Sequence, residues 1–219
     1  MADDLGPLWL SMRVASVATL FVLLVGLPLA YALARSRLPG KGIVAGLWSL
    51  PLVLPPTVLG YAILQVVGRR TPLGGWLDSR LGVSLVFHWS GAVLASGLAS
   101  FPLFLIPARG AFEAVDRRLE DAARLLGRGE ASVFFAITLP LAARGLLAGA
   151  ALAFARALGD FGASLMVAGD TPGRTQTASM AIYDLVEAGH PDRARHLVLW
   201  VAGVAALALV VAGRARRPS

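Results

Sequence analysis

Residues 14–34 run for 21 positions without a charged side chain, and residues 42–68 form a second uncharged run. A helix rises about 1.5 Å per residue, and about 20 apolar residues cross the hydrocarbon of a bilayer. Every backbone N–H and C=O placed there needs an internal partner, so runs of this length dictate membrane-spanning helices. Composition agrees. Of 219 residues, 57% are hydrophobic and 15% charged, against about 25% charged in a soluble domain. Such a chain cannot build the polar shell of a water-soluble fold.

The net charge of +7 raises nucleic acid as a partner, but the arginines lie in short loops between apolar runs, which is the pattern of membrane topology. No nucleic-acid partner is expected. Asp3 and Asp4 precede the first basic residue, Arg13, so the first run is expected to be a retained helix rather than a secretory signal. With no Cys, neither disulfides nor thiolate chemistry is available, and with no Asn there is no glycosylation sequon.

Five spans are expected, at about 8–34, 42–68, within 82–108, from Pro140 onward, and 196–213. The fold class is therefore an all-α polytopic membrane protein. With the N-terminus outside, the inner segments hold Arg35, Arg37, Lys41, Arg109, Arg117, Arg118, Arg124, Arg128, Arg214, Arg216 and Arg217, against six arginines in the outer loops. The excess has the sign expected of a cytoplasmic C-terminus. A sixth span within 175–188 is rejected as too short and because it carries Asp184 and Glu187.

The second run contains Pro51, Pro55 and Pro56, followed by Thr57. Proline in mid-membrane frees backbone carbonyls, tolerated only beside other helices or a water-filled path; the kink serves packing or a pathway. Gly91, Ala95 and Ala99, and later Gly145 and Gly149, give the small-residue spacing that lets helices approach closely. His88 is expected at an interface rather than as a ligand. Arg156 and Asp160 stand about 18 and 24 Å beyond Arg144 if one helix continues, and share a face at i,i+4. Ionisable groups at that depth face a bundle interior or a cavity. A helix broken at Gly159 or Gly162, with the pair buried in protein, is expected, and a short helix should follow within 175–188.

The longest charged interval runs from Asp121 to Pro140. Val115, Leu119, Ala122, Ala123 and Leu126 recur at helical spacing, while Asp116, Arg117, Glu120, Asp121 and Arg124 fill the opposite face. Gly127 sits where a helix C-terminus favours left-handed dihedrals. A second short helix is expected over about 130–137, with Pro140 opening the next span. Asp121-Ala122-Ala123, Gly127, Ile137 and Leu139-Pro140 together resemble the "EAA" loop of ABC-transporter permeases, with Asp121 at the position usually held by Glu. Leu50 to Tyr61, reading LPLVLPPTVLGY, looks like the second-span signature of molybdate permeases. Phe154 to Ala163, reading FARALGDFGA, looks like a stretch of the molybdate and sulfate group, with Asp160 again replacing Glu.

The resemblance implies a type I importer permease occupying 1–219 as one membrane domain. Its ATPase-docking helix–turn–helix would lie at about 112–139 and its outer-face loop and short helix at about 170–195. It implies coupling residues Glu120, Asp121, Ala122, Ala123, Arg124, Gly127, Ile137, Leu139 and Pro140, and a path near Pro55, Pro56, Thr57, Arg156 and Asp160. Arg156 either meets the substrate or simply neutralises Asp160. The implied assembly is a homodimer in the cytoplasmic (inner) membrane, with two ATP-binding cassette subunits inside and a periplasmic or extracellular oxyanion-binding protein outside. The chain has no G-x-x-x-x-G-K-[ST] loop, so it is expected to hold no cofactor and to be no enzyme, with ATP and Mg bound by the partner. Molybdate is the implied cargo, with tungstate and sulfate as alternatives. A secondary transporter or channel would instead need an internal repeat, and a membrane enzyme a catalytic constellation; neither is visible. The loop resemblance alone would also fit a methionine-type permease. Gly127→Pro or Ala123→Trp is expected to uncouple ATP hydrolysis from transport, read as oxyanion uptake with the ATPase still assembled.

Overall fold

The computed structural model describes residues 5–36, 40–82 and 84–214; Asp3, Asp4, Arg37, Arg216 and Arg217 lie outside the described residues. Its helices are α1 (Gly6–Arg35), α2 (Lys41–Val53), α3 (Pro56–Val67), α4 (Pro72–Leu81), α5 (Trp89–Glu113), α6 (Arg117–Leu125), α7 (Glu130–Val133), α8 (Leu139–Leu158), α9 (Gly162–Ala168), α10 (Ala178–Glu187) and α11 (Pro191–Arg214). A π-turn, Phe134–Thr138, joins α7 to α8. Among the described residues, α1, α5, the continuous run Glu130–Leu158 and α11 are long and apolar enough to cross a bilayer, and the bent α2–α3 pair makes a fifth candidate.

The helix α5 is the axis of the bundle. On one side Phe101, Phe104, Leu105 and Phe112 are buried with Val22 and Leu33 of α1 and Leu146 of α8. On another, Ala95 and Ala99 pack with Leu59, Ile63 and Val67 of α3 and Ala163 and Val167 of α9. Lipid tails are as apolar as leucine, so contact here comes from close fit rather than from escape from water. Gly145 and Gly149 supply that fit. A Cβ on Gly145 would lie 2.5 Å from Ala111 Cβ, and one on Gly149 would lie 3.0 Å from Pro107 Cγ. The same fit holds α5 helical through Pro102 and Pro107, so it ends at Glu113, beyond the expected limit near 108.

Two expectations are corrected and two elements are located more finely. The second apolar run breaks sharply rather than kinking: α2 and α3 meet at 115°. A residue before proline is driven to extended dihedrals, and both Leu54 (φ −69°, ψ 139°) and Pro55 (φ −53°, ψ 138°) precede one. The polar loop after Gly68 contains α4, whose start is fixed by Pro72 and by the Thr71 hydroxyl accepting the Gly74 N–H at 3.1 Å. The third span begins at Trp89, within the expected 82–108, where the His88 side chain caps the helix by accepting the Ser90 N–H. Finally, no break precedes Pro140. Leu139 N–H donates to Phe134 O, five residues back, and this wider turn carries the helix through the proline.

The two ends of the bundle differ. At the Arg35 end of α1 sit α6 and α7. At the other end the Ala178 N–H, at the start of α10, donates to Ser11 Oγ of α1 at 2.7 Å. Ser11 and Arg35 are 24 residues apart in one helix, or about 36 Å. Replacing Gly145 by Leu forces α8 off α5 and is expected to cost about 1–3 kcal/mol, seen as a lower thermal midpoint in detergent; an unchanged midpoint would refute the close-fit account.

Candidate functional site

Two places gather the predicted functional residues. The first is the turn between α6 and α7. Asp116 caps α6 by accepting the Arg118 N–H at 2.9 Å. At the other end Gly127 takes φ +82°. Its N–H donates to Arg124 O (2.9 Å) and the Arg128 N–H to Ala123 O (3.1 Å). This paired arrangement is the Schellman closure, which satisfies carbonyls a helix end would leave bare. A residue with a Cβ at 127 is strained there whatever space surrounds it.

Arg124 clamps the turn from outside. Its guanidinium donates to both oxygens of Glu130 (Nε–Oε1 2.7 Å, Nη2–Oε2 3.0 Å) and to Asp121 Oδ1 (2.7 Å). The fork-to-fork geometry with Glu130 fixes the angle between α6 and α7. The Arg124 guanidinium holds the Glu130 carboxyl below its usual range, and the two carboxylates hold the guanidinium above its own. Lowering the folded-state pKa of Glu130 means that its contribution is complete above the ordinary carboxylate range and is lost as pH falls through the lowered value. Both groups face water, so the clamp sets geometry more than stability.

The faces of α6 differ from the sequence expectation. Glu120, assigned to the polar face, is 2% exposed, and Ala123 is buried within the chain. Glu120 Oε1 accepts from Arg35 Nη2 of α1 at 2.5 Å and from Thr138 Oγ1 of the π-turn at 2.6 Å. The exposed apolar surface is made instead by Leu125 and Leu126, 89% and 84% exposed, with Leu119 and Ala122 beside them. Ala123 is therefore not available to a partner's groove, and Ala123→Trp would disturb the chain's own packing first. Asp121 and Pro140 are exposed, while Ile137 and Leu139 are half-buried in the helical run.

The second place is an open cavity of ≈ 490 Å³ lined by Pro56, Thr57, Arg156, Asp160, Phe161 and Met166 among others. It exists because two breaks coincide. The helix α8 stops at Leu158 and α9 restarts at Gly162, while α3 starts at Pro56 beyond the 115° bend. A Cβ on Gly162 would meet Pro56 Cβ at 3.1 Å, and one on Gly60 would meet Met166 Cβ at 2.6 Å, so α3 and α9 touch through glycine. Pro55 forms the bend rather than the lining.

Asp160 is 2% exposed and accepts Arg156 Nη1 (2.9 Å), the Ser164 N–H (3.0 Å) and Ser164 Oγ (2.6 Å). A buried carboxylate so supplied is fully satisfied. Arg156 spends Nη1 on it and, with its side chain 31% exposed, lines the cavity with the rest of its fork. The pair thus neutralises itself and still offers donors to the cavity. Ser164 was not anticipated; its spacing from Asp160 across a glycine break was the available signal.

The sequence model for the "binding-protein-dependent transport system inner membrane component" family matches residues 22–215. The chain belongs to that family. Among curated relatives, the molybdenum transport system permease protein ModB of Escherichia coli (strain K12) is 45% identical over 195 residues, 88% of this chain and 85% of that one. The ModB of Azotobacter vinelandii is 40% identical over 201 residues, 91% and 87% of the two chains. Solved structures share the fold at low identity. The inward-facing MetNI methionine ABC transporter gives a TM-score of 0.70 at 17% identity, covering 95% of this chain and 92% of that one. A bacterial ABC transporter importing the acidic polysaccharide alginate gives 0.76 at 15%, covering 100% and 81%. This family member is thus an all-α membrane chain with the fold of type I ABC importer permeases.

Breaking the cavity pair is expected to be asymmetric. Arg156→Gln leaves a buried carboxylate without its cation and costs about 3 kcal/mol, whereas Asp160→Asn leaves a guanidinium that reaches the open cavity and costs about 1–2 kcal/mol. Thermal unfolding in detergent checks the order; the reverse order contradicts the burial argument. Arg124→Gln is expected to loosen the turn, read as faster amide exchange at Gly127 and Arg128 with the spans unaffected.

Proposed function

We propose that this chain is the membrane-spanning subunit of an ATP-driven importer for molybdate, working as a homodimer by alternating access. The observation that carries the substrate is the long, high-identity match to molybdenum permeases of several bacteria, which runs through both the bend at Pro55-Pro56 and the Arg156–Asp160 break. The orientation we propose places α6 and α7 in the cytoplasm and the α10 end outside, following the excess of arginine in the inner segments. The protein would reside in the cytoplasmic membrane.

ATP and Mg are assigned to a separate cassette subunit, since this sequence has no phosphate-binding loop. The docking element for that subunit is α6–α7. Leu125 and Leu126 expose their side chains beside a turn that Gly127 and Arg124 hold rigid, and exposed apolar residues on a rigid helix suit a groove in a partner. A binding protein would deliver the oxyanion at the opposite end; an alginate transporter of the same fold has been solved with its periplasmic protein. Inside, the open cavity supplies the fork of Arg156 against low-dielectric walls. A dianion entering such a space needs donors that are already oriented. The adjacent Asp160 prevents a net positive trap, so the ion can leave.

Reconstitution with the cassette subunit and binding protein tests this. Molybdate is expected to stimulate ATP hydrolysis and accumulate in vesicles, with tungstate competing and sulfate competing less. Uptake without ATP would refute the reading. Leu125→Asp with Leu126→Asp is expected to prevent co-purification of the cassette subunit from a folded permease; full retention would remove α6–α7 as the docking element.

A further inference from the structure

The buried carboxylate of Glu120 is unusual in its placement. It projects inward from an amphipathic helix of nine residues, is 2% exposed, and joins three separate elements. Arg35 is the last residue of α1, Glu120 lies in the first turn of α6, and Thr138 closes the π-turn at the root of α8. Tyr31, one helical turn before Arg35, packs edge-on against Phe112 of α5 (5.4 Å between ring centres) and Phe134 of the π-turn (5.0 Å). The joint is therefore backed by aromatic packing on its inner side, and α6 has few other ties to the bundle.

The joint is also incompletely engaged. Both donors converge on Oε1 of Glu120, while Arg35 Nε is buried without a hydrogen-bond partner among the described residues. A rigid guanidinium–carboxylate clamp would use both prongs. A half-used fork with a spare buried donor can exchange partners while the two charges stay together, so the carboxylate can shift between α1 and the π-turn without being left bare. A π-turn is itself a place where a helix can change register.

We propose that Glu120 is the positioning residue that transmits displacement of α6–α7 to α1 and α8, through Arg35 and the Thr138 hydroxyl. The inference rests on the reading of α6–α7 as the docking element for the cassette subunit. The helix α8 carries Arg156 at its other end, 18 residues beyond Thr138, or about 27 Å away. Motion applied to the docking turn thus reaches the cavity along one continuous helix, and the Glu120 carboxylate ties α6 both to α1 and to the π-turn at the root of that helix.

The test uses the full chain with its cassette subunit and binding protein in proteoliposomes, and reads molybdate imported per ATP hydrolysed. A merely structural role lowers both quantities together and leaves their ratio unchanged. Glu120→Gln keeps the shape but removes the charge, and is expected to retain the cassette subunit while lowering the ratio about tenfold, the scale of a coupling between linked sites. Thr138→Val removes one hydrogen bond to the carboxylate but keeps the ion pair, and is expected to lower the ratio about threefold, less than Glu120→Gln because the charges stay paired. A parent-like ratio in an assembled Glu120→Gln complex overturns the proposal and leaves docking intact. Should Glu120→Gln fail to assemble, a parent-like ratio in Thr138→Val overturns it equally. Cassette capture that survives aspartate at both Leu125 and Leu126 removes the docking reading, and this proposal with it.

Discussion

Hydrocarbon offers no water to a backbone group that has lost its helical partner, yet two of the apolar segments break, at Leu54–Pro55 and at Gly159–Phe161. The bundle is arranged so that each break is sheltered by the other. Gly60 and Gly162 let α3 and α9 come together, and Asp160 reaches forward to the Ser164 N–H at the start of α9. An ionised side chain stands in for a backbone partner, and Arg156 then becomes necessary to neutralise it. The cavity, the charge pair and the glycine contacts are consequences of one requirement.

Much of this was legible in the sequence because bilayer physics leaves strong marks. Uncharged runs of fixed length gave the spans, and the spacing of Gly145 and Gly149 marked the contact with α5. Gly127 was readable because only a left-handed closure suits that position. The severity of the bend at Pro55 was not, because proline chemistry restricts each residue locally while the 115° angle depends on how α3 lands on α9. Glu120 was misread for a related reason. Periodicity places a charged residue on the polar face by default, and its inward turn is specified by partners 85 and 18 residues away, which no local pattern reports.

The two places that gather the predicted residues are far apart but are joined through α8. At one end lies a turn whose shape is set by Arg124 and Gly127. At the other lies a cavity lined by the balanced pair Arg156 and Asp160.

The π-turn at Phe134–Thr138 carries a meaning for the rest of α8 that its five residues do not suggest. An α-helix turns through about 100° per residue, and a π-turn accommodates one residue more than an ordinary turn. Everything beyond it is set in angular phase by that surplus. Loss of one residue there would leave α8 just as apolar and nearly as long, yet aim Gly145 and Gly149 away from α5 and Arg156 away from its cavity. The azimuth of the whole span is therefore fixed at its root.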